Sequence, residues 1–245
     1  MGRSIRKISI IFILLQAVLY AAFLMIDLSG SHFTLSSGIK YGIIVLCFCY
    51  ALLSKKGADK GILFVLKAGL FFTLISDLFI LLLDIYFYGV LTFIIVQQLY
   101  GIRISMAQYP VGCAGRTTLL LRSFLIRLAL QLGVSALICI ILTGFGVSLE
   151  GLLVASVFYF ISIFTNTLRA LKAAVIHSRD KVLRIFAAGM VLFLLCDINV
   201  GLFNMTGFIS LPDNVYNTIY SFAAILMWTF YAPSQVLIAL SVHEV

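Results

Sequence analysis

The chain has 245 residues, of which 63% are hydrophobic and only 11% charged, with a mean hydropathy of +1.17. A soluble domain carries roughly 25% charged residues, so this chain has too little polar surface to coat a water-soluble globule. The net charge of +8 does not mark a nucleic-acid binder, because Lys and Arg fall in the gaps between apolar runs rather than on one continuous patch.

The apolar runs reach the roughly 20 residues that a helix needs to cross hydrocarbon. Helices are expected because lipid offers the backbone no hydrogen-bond partner, and the alternating strands of a membrane barrel are absent. The first run, 8–26, follows the basic head MGRSIRK. It is too long for a signal peptide and no small-x-small cleavage site follows, so it is read as an uncleaved span. Arg6 stands where a myristoylation site needs Ser or Thr. The second run, 39–54, opens at Lys40; the third, 61–83, contains Asp77; the fourth, 86–106, contains Gln97, Gln98 and Tyr100. The fifth, 123–144, carries Arg127, Gln131 and Ser135, and the sixth, 150–172, carries Tyr159, Ser162, Asn166 and Arg169. The seventh, 182–203, contains Asp197, and the eighth, 215–241, contains Gln235. The gaps are short. The expectation is an all-α polytopic membrane protein of eight transmembrane helices in one domain, 1–245.

Charge sets the expected orientation. With the N-terminus inside, the inner segments and adjoining helix ends hold 15 of the 17 Lys and Arg. The outer loops carry Asp27, Asp84, Glu150 and Asp213, with Lys40 as their one cation, while Lys67 lies within snorkelling reach of the inner face. Both termini are therefore expected in the cytoplasm, in a multi-pass protein of the plasma membrane. Five cysteines show no disulfide or metal spacing; four lie within apolar runs, and most read as small buried hydrophobes. Asn204-Met205-Thr206 matches a glycosylation sequon by pattern alone.

Two carboxylates lie inside spans. A charge there costs about 2.5–3.5 kcal/mol on insertion scales, so such residues face the bundle interior and mark function. Spans three and seven run in the same direction. Asp77 comes 16 residues after Gly61 and Asp197 comes 16 after Lys181, which puts both at one depth in the outer half. If the two helices are neighbours, the acids can meet. "LISDLFI" and "LLCDINV" also set a small residue, Ser76 or Cys196, before each acid, a faint sign of internal duplication. The polar residues of spans five and six recur at spacings of three and four, so each set forms one stripe. Interhelical hydrogen bonding explains such stripes. So does the polar wall of a cavity for a lipid head group, with Arg127 or Arg169 on phosphate. Metal and Ser-His-Asp chemistry are disfavoured, because His32, His177 and His243 all fall outside the spans.

The stretches "SDLFILL", "FYGVLTFIIVQQLYGIR", "LFLLCDINVGL" and "TFYAPSQVLIALS" resemble the YhhN-like family, the membrane lysoplasmalogenases. The order, spacing and eight-span layout resemble that family too. Two positions depart from it: Tyr41 follows Lys40 where the family often has Pro, and Gln97 stands where some members have His. The resemblance implies a hydrolase that cleaves the vinyl ether bond of lysoplasmalogens, with Asp77 and Asp197 as the catalytic pair and no cofactor. Its partners would be a lysophospholipid substrate and membrane lipids, not nucleic acid. Vinyl ethers hydrolyse by protonation of the β-carbon, addition of water to the oxocarbenium ion, and collapse of the hemiacetal. Two acids suit this, because one can give a proton while the other stays charged, as in glycosidases. Gln97, Gln98, Tyr100 and Gln235 are the candidates for orienting water or an acid, with Tyr159, Asn166 and Arg169 supporting. A structural acid pair, a proton-coupled transporter of lipid or small solute, an intramembrane aspartyl protease and an inactive family member remain the other readings.

Overall fold

A computed structural model describes residues 2–30, 33–53, 59–109, 111–204 and 212–242. His32, His243, the sequon residues Met205 and Thr206, and most of the 204–214 loop lie outside the described residues. The helices are α1 (Gly2–Ser29), α2 (Phe33–Leu53), α3 (Lys60–Asp77), α4 (Tyr86–Gln108), α5 (Arg116–Gly144), α6 (Gly151–Ile176), α7 (Lys181–Asn204) and α8 (Asp213–Leu240). Among the described residues there is no strand, and eight helices are long and apolar enough to cross a bilayer. The chain is an all-α multi-pass membrane protein.

Burial follows membrane rules rather than aqueous ones. The buried residues of α5 are Arg127, Gln131 and Ser135, while Leu125, Leu132 and Ile140 face outward. A helix that hides its polar stripe and displays its apolar side is stable only in lipid. In α1, Ser9 bonds the Tyr50 hydroxyl (2.8 Å) and Gln16 donates to the Ile43 carbonyl (3.0 Å), while Ile11 and Leu14 are exposed.

The tightest pairs are the hairpins α3–α4 and α7–α8. Helix α6 joins them by packing on α4 and α7, α2 bridges α3 and α8, α1 lies on α2 and α8, and α5 sits on the rim against α6 and α4. Gly189 permits the α7–α8 approach. A Cβ there would lie 2.8 Å from Ile238 Cγ1 and 3.1 Å from the Ser234 carbonyl. Because backbone of α8 cannot step aside as a side chain could, Gly189→Ala is expected to cost about 1–3 kcal/mol. A lowered unfolding midpoint in detergent would record it.

Several expectations need correction. Helix α2 begins six residues before the predicted 39. The Phe33–Gly38 segment stays helical because its polar residues find partners: Ser36 Oγ donates to Asp27 Oδ1 at 2.5 Å. Asp27 is thus a helix residue of α1, not a loop residue, and Lys40 lies within α2 as expected. Helix α5 begins at Arg116 rather than 123, anchored where the Arg116 guanidinium reaches Asp59 and the Tyr109 carbonyl. The third span is not α-helical throughout. After Asp77 it widens into a π-helical turn, Leu78–Leu82, closed by the Leu83 amide on the Leu78 carbonyl (3.1 Å). Asp84 then takes a left-handed φ of 56°, which Asp tolerates better than most residues, and reverses the chain into α4. Of the cysteines only Cys47 and Cys196 are buried; Cys49 and Cys113 are exposed and Cys139 is intermediate, because helix rotation, not apolar context, decides which side faces lipid.

At the basic end, Asp59 caps α3 by accepting from the Gly61 amide (2.8 Å) and pairs with Arg116. Burial alone would raise its pKa. Arg116 and the amides of Gly61 and Ile62 outweigh that and hold it below the usual carboxylate range. A depressed pKa contributes stability that is complete above the unfolded value near 4 and is lost as pH falls through the folded value. Asp59→Asn keeps a cap but loses the pair. It should lower stability by about 0.5–1 kcal/mol at pH 7 and by less at pH 2, read by unfolding at both pH values.

Candidate functional site

Asp77 closes α3 just before the π-helical turn and is 3% exposed. The Tyr231 hydroxyl of α8 donates to its Oδ2 at 2.6 Å. Asp197, one residue after buried Cys196 in α7, is half-buried. The Tyr159 hydroxyl of α6 donates to its Oδ2 at 2.7 Å. Among the described residues no hydrogen bond joins the two carboxylates. Helix α3 packs mainly on α4 and α2, whereas α7 packs mainly on α8 and α6, so the acids approach through tyrosines rather than across one helix pair. Both carboxylates are still within electrostatic range of Tyr159 and Cys196.

An aromatic wall fills the space between the two tyrosines. Phe93 of α4 lies 5.7 Å from Tyr159 and 6.3 Å from Tyr231, and Phe193 of α7 lies 5.4 Å from Tyr231 (ring centroids). The wall is apolar and the acids border it. The pattern breaks any duplication: in a strict repeat of α1–α4 by α5–α8, the donor to Asp77 would come from α2, the counterpart of α6, yet it comes from α8. The two carboxylates therefore have unequal surroundings, one sealed and one partly open, which suits unequal roles.

A relay of contacts continues toward the acidic end. Trp228 meets Tyr231 edge-on at 5.2 Å, the Lys40 ammonium sits 4.9 Å over the Trp228 ring, and Lys40 pairs with Asp27 at 2.7 Å. Pro233 in α8 has no amide to offer the Thr229 carbonyl, one helical turn back. The Tyr20 hydroxyl of α1 donates to that carbonyl at 3.3 Å, beside the segment that aims Tyr231. Sequence reasoning missed Tyr231, Trp228, Asp27 and the buried state of Lys40. The signal for Lys40 was present: a lone cation among outer acids marks a partner.

The remaining predicted residues do not hydrogen-bond either carboxylate. The Asn166 amide donates to the Gln97 carbonyl (2.7 Å) and Gln97 Oε1 (3.3 Å). Gln98 Oε1 accepts from Arg127 (3.1 Å) while its amide reaches Gln131 Oε1 (3.1 Å). Arg169 donates to the Gly101 carbonyl (3.3 Å) and Ser105 Oγ (2.7 Å). These form a second polar cluster where α4, α5 and α6 meet, toward the basic end. Tyr100 packs its ring against Gly69 and edge-on to Phe186, tying α3, α4 and α7 together. Gln235 is wholly buried, and its side-chain amide has no hydrogen-bond partner among the described residues. Among them, too, no three His, Cys, Asp or Glu side chains gather as a metal site would require.

Chemically, the acid site offers a sealed carboxyl group and a second one on a half-buried residue, both bordering buried aromatic rings. An apolar interior favours the neutral form of a carboxylic acid. Each tyrosine fixes one carboxyl oxygen and leaves the other oxygen free to give or take a proton. Comparisons with family models, with curated proteins and with solved structures found no match to this chain.

Proposed function

We propose that this chain is a membrane hydrolase that cleaves the vinyl ether bond of lysoplasmalogens by acid–base catalysis between Asp77 and Asp197. The observation that carries the reading is the pair of intramembrane carboxylates, each held by a tyrosine hydroxyl, on either side of one aromatic wall. The resemblance of four stretches of sequence to the YhhN-like lysoplasmalogenases supports it independently.

In this mechanism the 1-alkenyl chain lies along Phe93 and Phe193. A neutral carboxyl group protonates the β-carbon of the vinyl ether, and the charge passes to the ether oxygen as an oxocarbenium ion. The second carboxylate stabilises that cation and takes a proton from the water that adds to it. The hemiacetal then collapses, so the substrate and one water become a fatty aldehyde and a glycerophospholipid alcohol. The aromatic wall excludes bulk water until the cation forms. Both termini lie on the cytoplasmic side of the plasma membrane in this reading, as the charge asymmetry of the loops supports.

The test is aldehyde release from 1-alkenyl lysophospholipid by purified protein, with Asp77→Asn and Asp197→Asn alongside. A well-folded wild type that releases no aldehyde sinks the assignment. The same acids would then be assayed as proton sites in proteoliposome uptake.

A further inference from the structure

Three arginines, Arg103, Arg127 and Arg169, lie wholly or partly inside the bundle with no carboxylate in ion-pair contact among the described residues. Arg103 donates to the Ser241 carbonyl (3.0 Å) and stacks 3.9 Å from the Phe186 ring centre, although its Nε and Nη1 are buried without a partner among the described residues. Arg127 and Arg169 instead share one seam. They face the same stretch of α4 and are near enough to repel each other. Every acceptor they touch is neutral. Nε and Nη1 of Arg127 are buried without a partner, and so is the Gln131 amide nitrogen.

An unpaired cation in a low-dielectric interior costs several kcal/mol, and a second one beside it costs more. The acids of the bundle cannot supply the missing charge. Asp27 is held by Lys40, Asp59 by Arg116, Asp77 by Tyr231 and Asp197 by Tyr159. No carboxylate of the described residues forms an ion pair with Arg127 or Arg169, so an anion from outside the chain would complete the seam. The orphaned donors are guanidinium and amide N–H groups, whose planar, multiple-donor geometry matches an oxyanion such as a phosphate.

We infer that Arg127 and Arg169, with the Gln131 amide, form a binding site for an anionic phosphate group in the seam between α4, α5 and α6. Gln98, Ser123 and Arg169 are only half-buried, so the seam opens to the exterior of the bundle. On α4, Gln98 is five residues from Phe93, about 7.5 Å at 1.5 Å per residue. Seven bonds of about 1.5 Å, shortened by their zigzag, separate phosphorus from the β-carbon of a lysoplasmalogen, which bridges a gap of that order. A lipid gripped there would set its vinyl ether against the aromatic wall with its head toward the basic end. That last step rests on the hydrolase reading; the anion site does not.

Binding is measured on the full chain in a phosphate-free maltoside detergent. The probes are a saturated 1-alkyl lysophospholipid, which has no vinyl ether to cleave, the matching 1-alkyl glycerol, glycerol phosphate and inorganic phosphate. The alkyl lysophospholipid should bind wild type at least about tenfold more tightly than the alkyl glycerol. Arg169→Gln and the milder Arg127→Lys should erase most of that preference. Tight binding of glycerol phosphate or inorganic phosphate as well would identify a free phosphate source; binding of the lysolipid alone would identify a head group. Equal affinity for lysolipid and alkyl glycerol in wild type overturns the site, as does a preference that both variants keep. Because no probe is cleaved, a protein that prefers phosphate yet releases no aldehyde in the separate assay retains the site and loses the hydrolase reading.

Discussion

On the proposed mechanism, Asp77→Asn and Asp197→Asn should each reduce aldehyde release at least about a hundredfold, the low end of what a positioned acid or base contributes. Asn is the informative replacement. It keeps the volume of the carboxyl group and a carbonyl oxygen that can accept the Tyr231 or Tyr159 hydroxyl, so the packing of the wall is spared. What it removes is the capacity to give or hold a proton. The rate loss should accordingly appear at unchanged folded yield and unfolding midpoint. Tyr231→Phe and Tyr159→Phe preserve the rings and delete only the donor; each should lower the rate by about tenfold. An Asn variant that retains a tenth or more of wild-type turnover places the chemistry elsewhere.

Lys40→Met should destabilise the protein by about 2–3 kcal/mol, and adding Asp27→Asn to it should restore most of the loss. The Lys40 side chain is 8% exposed and that of Asp27 is 20% exposed, so removing the cation strands a mostly buried carboxylate. A fully buried pair would lose more; the exposed fraction of Asp27 reduces the figure through solvent screening. Lys40 also covers Trp228, so its loss reaches Tyr231 by contact. Unfolding midpoints of the two single variants and the double variant give the coupling directly. If the double variant is no more stable than Lys40→Met, the pair is not what holds these helices.

The helices were readable because lipid makes length and apolarity nearly sufficient: each run long enough to span became a helix. Their ends were not, since polar residues such as Ser36 and Arg116 extend α2 and α5 by finding partners on other helices, and no local pattern announces a distant partner. The stripe Arg127, Gln131, Ser135 was read correctly because helical period alone puts the three on one face. The two acids were found because charge inside hydrocarbon is rare. Their tyrosines were not, because a tyrosine in an apolar run is unremarkable until the fold shows what its hydroxyl meets. Gln97 and Gln98 were expected near the acids. They bond toward α5 and α6 instead, since neither the rotation of α4 nor its neighbours can be read from one chain.

The hydrogen bond from Tyr231 to Asp77 spans 154 residues of sequence, and that from Tyr20 to Thr229 spans 209. Chains are made from the N-terminus at roughly 5–20 residues per second, so Asp77 leaves the ribosome roughly 8–30 s before its donor does. Through that interval the nascent third helix holds an acid without its tyrosine, and α1 waits for the carbonyl it will hold. Of these eight helices, α8 emerges after the other seven and brings the hydroxyl that Asp77 accepts from.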